Sequence, residues 1–278
     1  MHMTDSLLST PVGAAMCAVS AAAIAWSAAT VKKEGFDVKK MVIAGTAGAA
    51  VLAAQAVNYA IPGTGSSGHV LGALILAAMI GASPAMLVMS AVIIIQCLAF
   101  ADGGVLALGA NIFNMAVIPC LFVYPLIFKP LTRNAMRPAG IIAVSMLSAV
   151  VALQLGAFGV VAATQLSGIT TLPFAAFALA MQPIHLAIGI GEGLATAAVL
   201  CLVWALRPEI IRCAYSGIAI GSRTAVKPVA AAFAAVALIT ALVLPHYASD
   251  APDGLEWSIE KATESAAVID ADNSAAGG

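Results

Sequence analysis

The sequence predicts an all-α fold: a polytopic transmembrane helical bundle of about seven to eight spans with its N-terminus outside. Three observations predict it. The first is composition. Of 278 residues, 62% are hydrophobic and only 9% charged, and mean hydropathy is +1.03. A soluble domain gives roughly a quarter of its residues to charge, so a water-facing surface cannot be built from this chain. The second is that the apolar residues come in runs near the roughly 20 residues a helix needs to cross a bilayer. With lipid as solvent the backbone must satisfy its own hydrogen bonds, which makes those runs helices. The third is the segregation of basic residues to one side of the implied topology.

The runs are Leu7–Thr30, Met41–Ile61, His69–Ala82, Pro84–Phe100, Val105–Phe128, Ala139–Phe158, Pro183–Leu206 and Val229–Leu244. The third is short. The weakly polar stretch Gly159–Gln182, with Pro173, reads as a loop or re-entrant segment on the outer side. Counting spans from an outside N-terminus, the cytoplasmic loops hold Lys32, Lys33, Lys39 and Lys40, then Lys129, Arg133 and Arg137, then Arg207, Arg212, Arg223 and Lys227. Of the 12 basic residues, only Lys261 lies elsewhere. The reverse orientation would invert the positive-inside bias. Met1, the Pro62–His69 loop and the C-terminal tail therefore fall outside. The start MHMTDSLLSTP lacks the basic region of a cleavable signal, so retention of the first residues is expected. From His246 the chain becomes acidic, and it reads as disordered beyond Glu264. The five cysteines are scattered without a CxxC pair and read as small core residues.

Ionisable residues at membrane depth are expensive and default to functional candidates. They are His2, His69, Asp102, His185 and Glu192, with Gln96, Asn111 and Asn114 nearby. A free α-amine followed by His in second position is itself a chelator. The Met1 amine, the His2 amide nitrogen and a His2 ring nitrogen close two fused rings on one ion. A fourth nitrogen completes a square-planar site, which suits Ni(II) or Cu(II). The alternative is that His2 is incidental to an exposed terminus. His69, in GTGSSGHVLGA on the same outer side, is the natural fourth ligand, against an interfacial His beside a helix start. Ser66 and Ser67 offer hydroxyls that could orient a metal-bound imidazole.

The remaining polar residues are more open. Asp102, in Asp-Gly-Gly, is either a turn-capping residue or part of the site. Asn111 and Asn114, one helical step apart, are expected to bond across helices. Glu192 is an interior carboxyl for packing or coupling, or a proton relay with His185 on the same face. Enzyme classes are excluded by motif: there is no HExxH, no GxSxG elbow and no P-loop. If transport is ATP-driven, another chain must supply the ATPase.

The start MHMTDSLLS, the loop GTGSSGHVLGA, the stretch LVMSAVIIIQCLAFADGGVLALGANIFNMAVIP and the segment HLAIGIGEGL resemble, in order, the membrane substrate-binding subunits of nickel and cobalt energy-coupling-factor ABC transporters, the CbiM/NikM group. The similarity runs from about Met1 to Arg212. It implies a site built from the Met1 amine, the His2 amide nitrogen and imidazole, and His69. It also implies Co2+ or Ni2+ as transported substrate rather than a cofactor. The implied partners are a transmembrane coupling (T) subunit, cytoplasmic ATPases and often a small accessory membrane subunit, all in a bacterial or archaeal inner membrane, with no role for nucleic acid. The segment APDGLEW, Ala251 to Trp257, is similar to the PDGLE motif of that accessory subunit. The implied division is a metal-binding domain over 1–212, an accessory-like span with its motif over 213–258, and a disordered acidic tail over 259–278. Met3 and Thr4 replace the usual Ile and Pro, whereas Asp5 is kept and is expected to orient His2. The competing class is a proton-coupled secondary metal carrier using His185, Glu192 and Asp102.

Overall fold

The computed structural model describes residues 1–35, 37–133 and 136–276. Among the described residues, five helices are long and apolar enough to cross a membrane: α1 (Thr10–Glu34), α4 (Ala82–Phe100), α5 (Leu108–Thr132), α6 (Pro138–Ser167) and α7 (Phe174–Leu206). Two more, α2 (Val38–Gln55) and α9 (Lys227–Leu242), have 18 and 16 residues. Between them lie a short hairpin of β1 (Tyr59–Ile61) and β2 (Ser66–Gly68), the eight-residue α3 (Ala73–Ile80) and the amphipathic α8 (Pro208–Ser216). The last helix is α10 (Gly254–Ala276). The polarity is that of a protein dissolved in lipid. Trp26, Leu98, Leu126, Leu179 and Leu238 point outward, while Ser20, Ser27, Ser145, Ser148, Thr164 and Thr196 are buried.

Small residues set how closely the helices approach. On α1 the buried positions are Gly13, Ser20 and Ser27, spaced by seven and so forming one seam. That seam meets α5, where Ser20 Oγ donates to the Gly109 carbonyl at 2.6 Å. A Cβ on Gly109 would run into the backbone of Cys17. In α5 the stretch Phe113–Phe128 winds as a wide π-helix containing Pro119 and Pro125. Each proline lacks the N–H that a regular turn would use.

Two segments differ from the sequence reading. The run His69–Ala82 is not a span of its own. All eight residues of α3 are buried, and at 1.5 Å per residue it is about 12 Å long. Gly72 and Gly81, at φ of 74° and 95°, stop it at both ends. The stretch Gly159–Gln182 is mostly helix, with only residues 168–173 linking α6 to α7. Two hydrogen bonds tie that hairpin together: Gln165 Nε2 donates to the Leu172 carbonyl, and Gln154 Nε2 to that of Gln182, both at 2.8 Å.

At one end of the bundle, the basic loops are tied together. Lys39 Nζ donates to the carbonyls of Gly221, Ser222 and Thr224 at 2.7 to 2.9 Å. Asp37 accepts from the Ile220 N–H at 2.9 Å, and the Lys129 ammonium lies 5.3 Å from the Tyr215 ring centre. At the other end sit Met1 and the β-hairpin, separated from the basic end by the length of α1, about 37 Å. The C-terminal part wraps back to that second end, with α9 packing on α2 and α10 on α7. Beyond Glu264, where the sequence reading expects disorder, α10 is drawn as helix to Ala276. It starts from a docked first half, with Leu255, Ser258 and Ala262 buried on one face, and it extends through an alanine-rich stretch of good helix formers.

Candidate metal site

Three segments converge at the N-terminal end: the first eight residues, the β1–β2 hairpin with the loop after it, and the turn before α10. Residues 3 and 5 fix the first segment. The Met3 N–H donates to Asn111 Oδ1 at 2.8 Å, and its carbonyl accepts from Asn111 Nδ2 at 3.1 Å and from the Gly104 N–H at 2.9 Å. Asp5 Oδ1 accepts from the Ala107 N–H at 3.0 Å. Asp5 thus does not orient His2 as expected; it ties the segment to the start of α5. Nor does Asn111 bond across helices; it clasps the Met3 backbone. Asn114, also buried, has no hydrogen-bond partner among the described residues.

With residues 3 and 5 held, Met1 and His2 turn inward. The His2 side chain is 6% exposed, and its Nε2 lies 3.3 Å from Gln96 Oε1. The tautomer protonated at Nε2 donates to that oxygen and leaves the Nδ1 lone pair free. Asp102 Oδ1 stands 3.4 Å from that Nδ1, so a cation reaching Nδ1 also meets a carboxylate. The His2 and His69 rings stack with centres 5.4 Å apart and planes inclined by 30°. His69 Nδ1 faces the Val70 carbonyl at 3.4 Å, leaving the lone pair on Nε2.

Electrostatics keep both imidazoles neutral. Burial, then the Met1 ammonium, lowers the His2 pKa to about 4, against opposing pulls from Asp253 and Gln96. Burial, the Met1 ammonium and His2 lower that of His69 to about 3. Burial pushes the Asp102 carboxyl above its usual range. Neutral imidazole is the form that binds metal.

One participant is not among the sequence candidates. The Met1 ammonium donates to Asp253 Oδ2 at 3.2 Å, across 252 residues of chain. Asp253 Oδ1 meanwhile accepts the N–H groups of Leu255 and Glu256 at 2.8 and 2.9 Å, capping α10. Burial alone would raise the Asp253 carboxyl. The Met1 ammonium, the Glu256 N–H and His69 instead hold it below the usual carboxylate range. Ser66 and Ser67 likewise serve this segment rather than an imidazole. Ser67 Oγ donates to the Ala251 carbonyl at 2.7 Å and the Ser67 N–H to that of Pro252 at 2.8 Å, while Ser66 Oγ lies 3.3 Å from the Pro252 carbonyl. Trp257 Nε1 donates to the Thr64 carbonyl at 3.0 Å. The available signal was topological: the tail and Met1 fall on one side, and a PDG turn places an acceptor at a helix start.

Glu192 and His185 lie on α7 and do not bond each other. Glu192 accepts the N–H groups of Leu71 and Gly72 at 2.6 and 2.9 Å, with Thr196 Oγ1 at 3.4 Å. It therefore holds the loop that carries His69 and caps the start of α3. His185 lines a cavity of about 20 Å³ together with Met1, His69 and Asp253. Among the described residues, no group of three or more His, Cys, Asp or Glu is gathered for a metal. The nitrogens at this site include the backbone amine and amide, which side-chain grouping does not count.

The sequence model of the family described as the cobalt uptake substrate-specific transmembrane region, CbiM, matches residues 2–210. The chain belongs to the CbiM family. A second model, the PDGLE domain, matches residues 227–276. This CbiM-family chain is 30% identical over 218 residues to a candidate fused nickel transport protein, NikMN, of Archaeoglobus fulgidus, covering 76% of this chain and 68% of that one. It is 33% identical over 214 residues to a candidate metal transport protein of Haloquadratum walsbyi, covering 76% of this chain and 93% of the relative. A crystal structure of a transition metal transporter superposes with TM-score 0.65 at 27% identity, covering 78% of this chain and 98% of that one. The CbiM-family protein described here is thus a multi-pass membrane protein of cobalt and nickel transport, a transporter component rather than an enzyme. The metal is its transported substrate.

Proposed function

We propose that the chain is the substrate-binding subunit of an energy-coupling-factor transporter that imports Co2+ or Ni2+ across a bacterial or archaeal inner membrane, with the N-terminus on the outer face. The observation that carries this is the inward-turned N-terminus, with Met1 and His2 beside a neutral His69. The Met1 amine, the His2 amide nitrogen and Nδ1, and His69 Nε2 form the coordination sphere. The six-membered ring of such a chelate closes through Nδ1, the nitrogen left unprotonated when Nε2–H donates to Gln96. Donation of the outer ring N–H to a carbonyl is the usual support for a metal-bound imidazole.

Binding expels the amine and amide protons, so affinity rises with pH. The Asp253 carboxylate balances the Met1 ammonium before the ion arrives and lies beside the positive charge afterwards. Residues 1–212 form the metal-binding unit, and the PDGLE-bearing part from 213 serves as its built-in accessory. A T subunit and partner ATPases supply the energy. A proton-coupled carrier would use His185 and Glu192 as a relay. Glu192 is engaged by two backbone N–H groups and does not touch His185, which argues against it.

The test is calorimetric titration of Ni2+ into untagged protein and into protein carrying one extra N-terminal residue. Binding lost on extension supports the proposal. Equal affinity in both rejects it.

A further inference from the structure

Among the ionisable candidates, His185 is the one whose chemistry the site above leaves unused. Its Nδ1 lies 2.8 Å from the Met181 carbonyl, one helical turn earlier. A carbonyl only accepts, so Nδ1 carries the proton and the lone pair sits on Nε2. The residue is 1% exposed, and Nε2 has no hydrogen-bond partner among the described residues. Leaving a buried acceptor unpaired is destabilising. For a residue that only fills space, Leu or Met would serve the apolar wall better.

Nε2 lies at the small cavity shared by Met1, His69 and Asp253, walled by Leu153 and Ile188. The cavity measures about 20 Å³, the scale of one water molecule's centre. It has room for one water-sized species, such as a dehydrated divalent ion. Gly254 keeps the imidazole approachable: a Cβ there would stand 3.0 Å from His185 Cε1 and 3.3 Å from Nε2.

We propose that His185 Nε2 is a further nitrogen ligand for the transported ion, receiving it from His69 as it leaves the outer loop for the helical bundle. The proposal rests on the Met1–His2–His69 reading. It adds one ligand exchange, in which the Nε2 lone pair forms a dative bond to the ion and the His69 bond breaks. No proton moves, because Nε2 is already unprotonated. The exchange shifts the ion from a loop ligand to one on the membrane-spanning α7, where the rest of the path must lie.

The test uses the full chain in lipid nanodiscs and the assembled transporter in cells. His185→Cys places a thiol where the imidazole stood. Saturating Co2+ should then give a thiolate-to-cobalt charge-transfer band that the parent, with its own five cysteines, does not show. His185→Gln keeps a side-chain donor toward Met181. It should hold equilibrium Co2+ affinity within about threefold while cutting cellular uptake by about tenfold or more, the signature of a group acting after initial binding. No new band at saturation, or uptake by His185→Gln at the parent rate, overturns the proposal. If the Cys variant does not fold, the uptake result decides alone. Failure of the underlying reading is seen separately: His2→Ala would then bind Co2+ as the parent does, whatever the His185 variants show.

Discussion

Replacing Glu192 by Gln tests how the His69 loop is held. The carboxylate oxygens each accept one backbone N–H, from Leu71 at 2.6 Å and Gly72 at 2.9 Å. These are two and three residues after His69, and Glu192 is 1% exposed. Glutamine is nearly the same size but offers one acceptor and one NH2, so one of the two N–H groups must face a donor. A buried donor left unpaired costs about 1 to 3 kcal/mol. Water cannot compensate at that depth, and Thr196 is itself a donor to the same carboxylate. If the whole cost falls on the closed loop, the apparent metal affinity drops by about 5- to 150-fold. The assay is calorimetric titration of Ni2+ in detergent or nanodiscs, with a thermal melt on the same samples. Glu192→Ala should weaken binding further, because both acceptors go. Affinity within twofold of the parent for both variants would refute the idea that this carboxylate positions the loop.

Other consequences follow from the same geometry. Asn111→Ala removes two hydrogen bonds to the Met3 backbone, so the variant should lose about 1 to 3 kcal/mol of stability and bind Ni2+ more weakly, read by melting and titration. For pH, His2 and His69 have folded pKa values of about 4 and 3 against an ordinary 6.5. Below 6.5 the unfolded chain takes up protons that the folded one refuses, so this contribution to stability is full above 6.5 and lost as pH falls towards 4 and 3. Melting temperature should therefore fall over that window, and His69→Ala should flatten the fall. Gly254→Ala brings a Cβ to 2.8 Å from Ile188 Cδ1. It should loosen the PDGLE turn, read as faster proteolysis after Ser249, with α1 to α7 intact.

The bundle was legible because composition and span length are set by the lipid, and the hydropathy pattern answers to that one constraint. Pairing His2 with His69 required only topology: both fall on the side opposite the basic loops. What stayed hidden was set by long-range backbone geometry. The apolar run containing α3 looks like a span because a fully buried helix and a lipid-facing one are equally hydrophobic; the glycine φ values that cut it at residues 72 and 81 are not written in the pattern. Asp5 was placed beside His2 by nearness in sequence, whereas in space it bonds Ala107; Asp102, open between a turn cap and the site, stands beside His2. Asp253 was missed for a different reason: its partner Met1 lies at the other end of the chain, and only their shared side and the PDG turn hint at the pair.

The central claim concerns which atoms bind the ion, and nickel-edge X-ray absorption of the Ni2+-loaded, untagged protein tests it most directly. The account predicts a four-coordinate, near-planar shell of nitrogens with imidazole scattering from two histidines, reduced to one in His69→Ala. A six-coordinate shell dominated by oxygen, or a spectrum unchanged when His2 and His69 are both replaced, would contradict it.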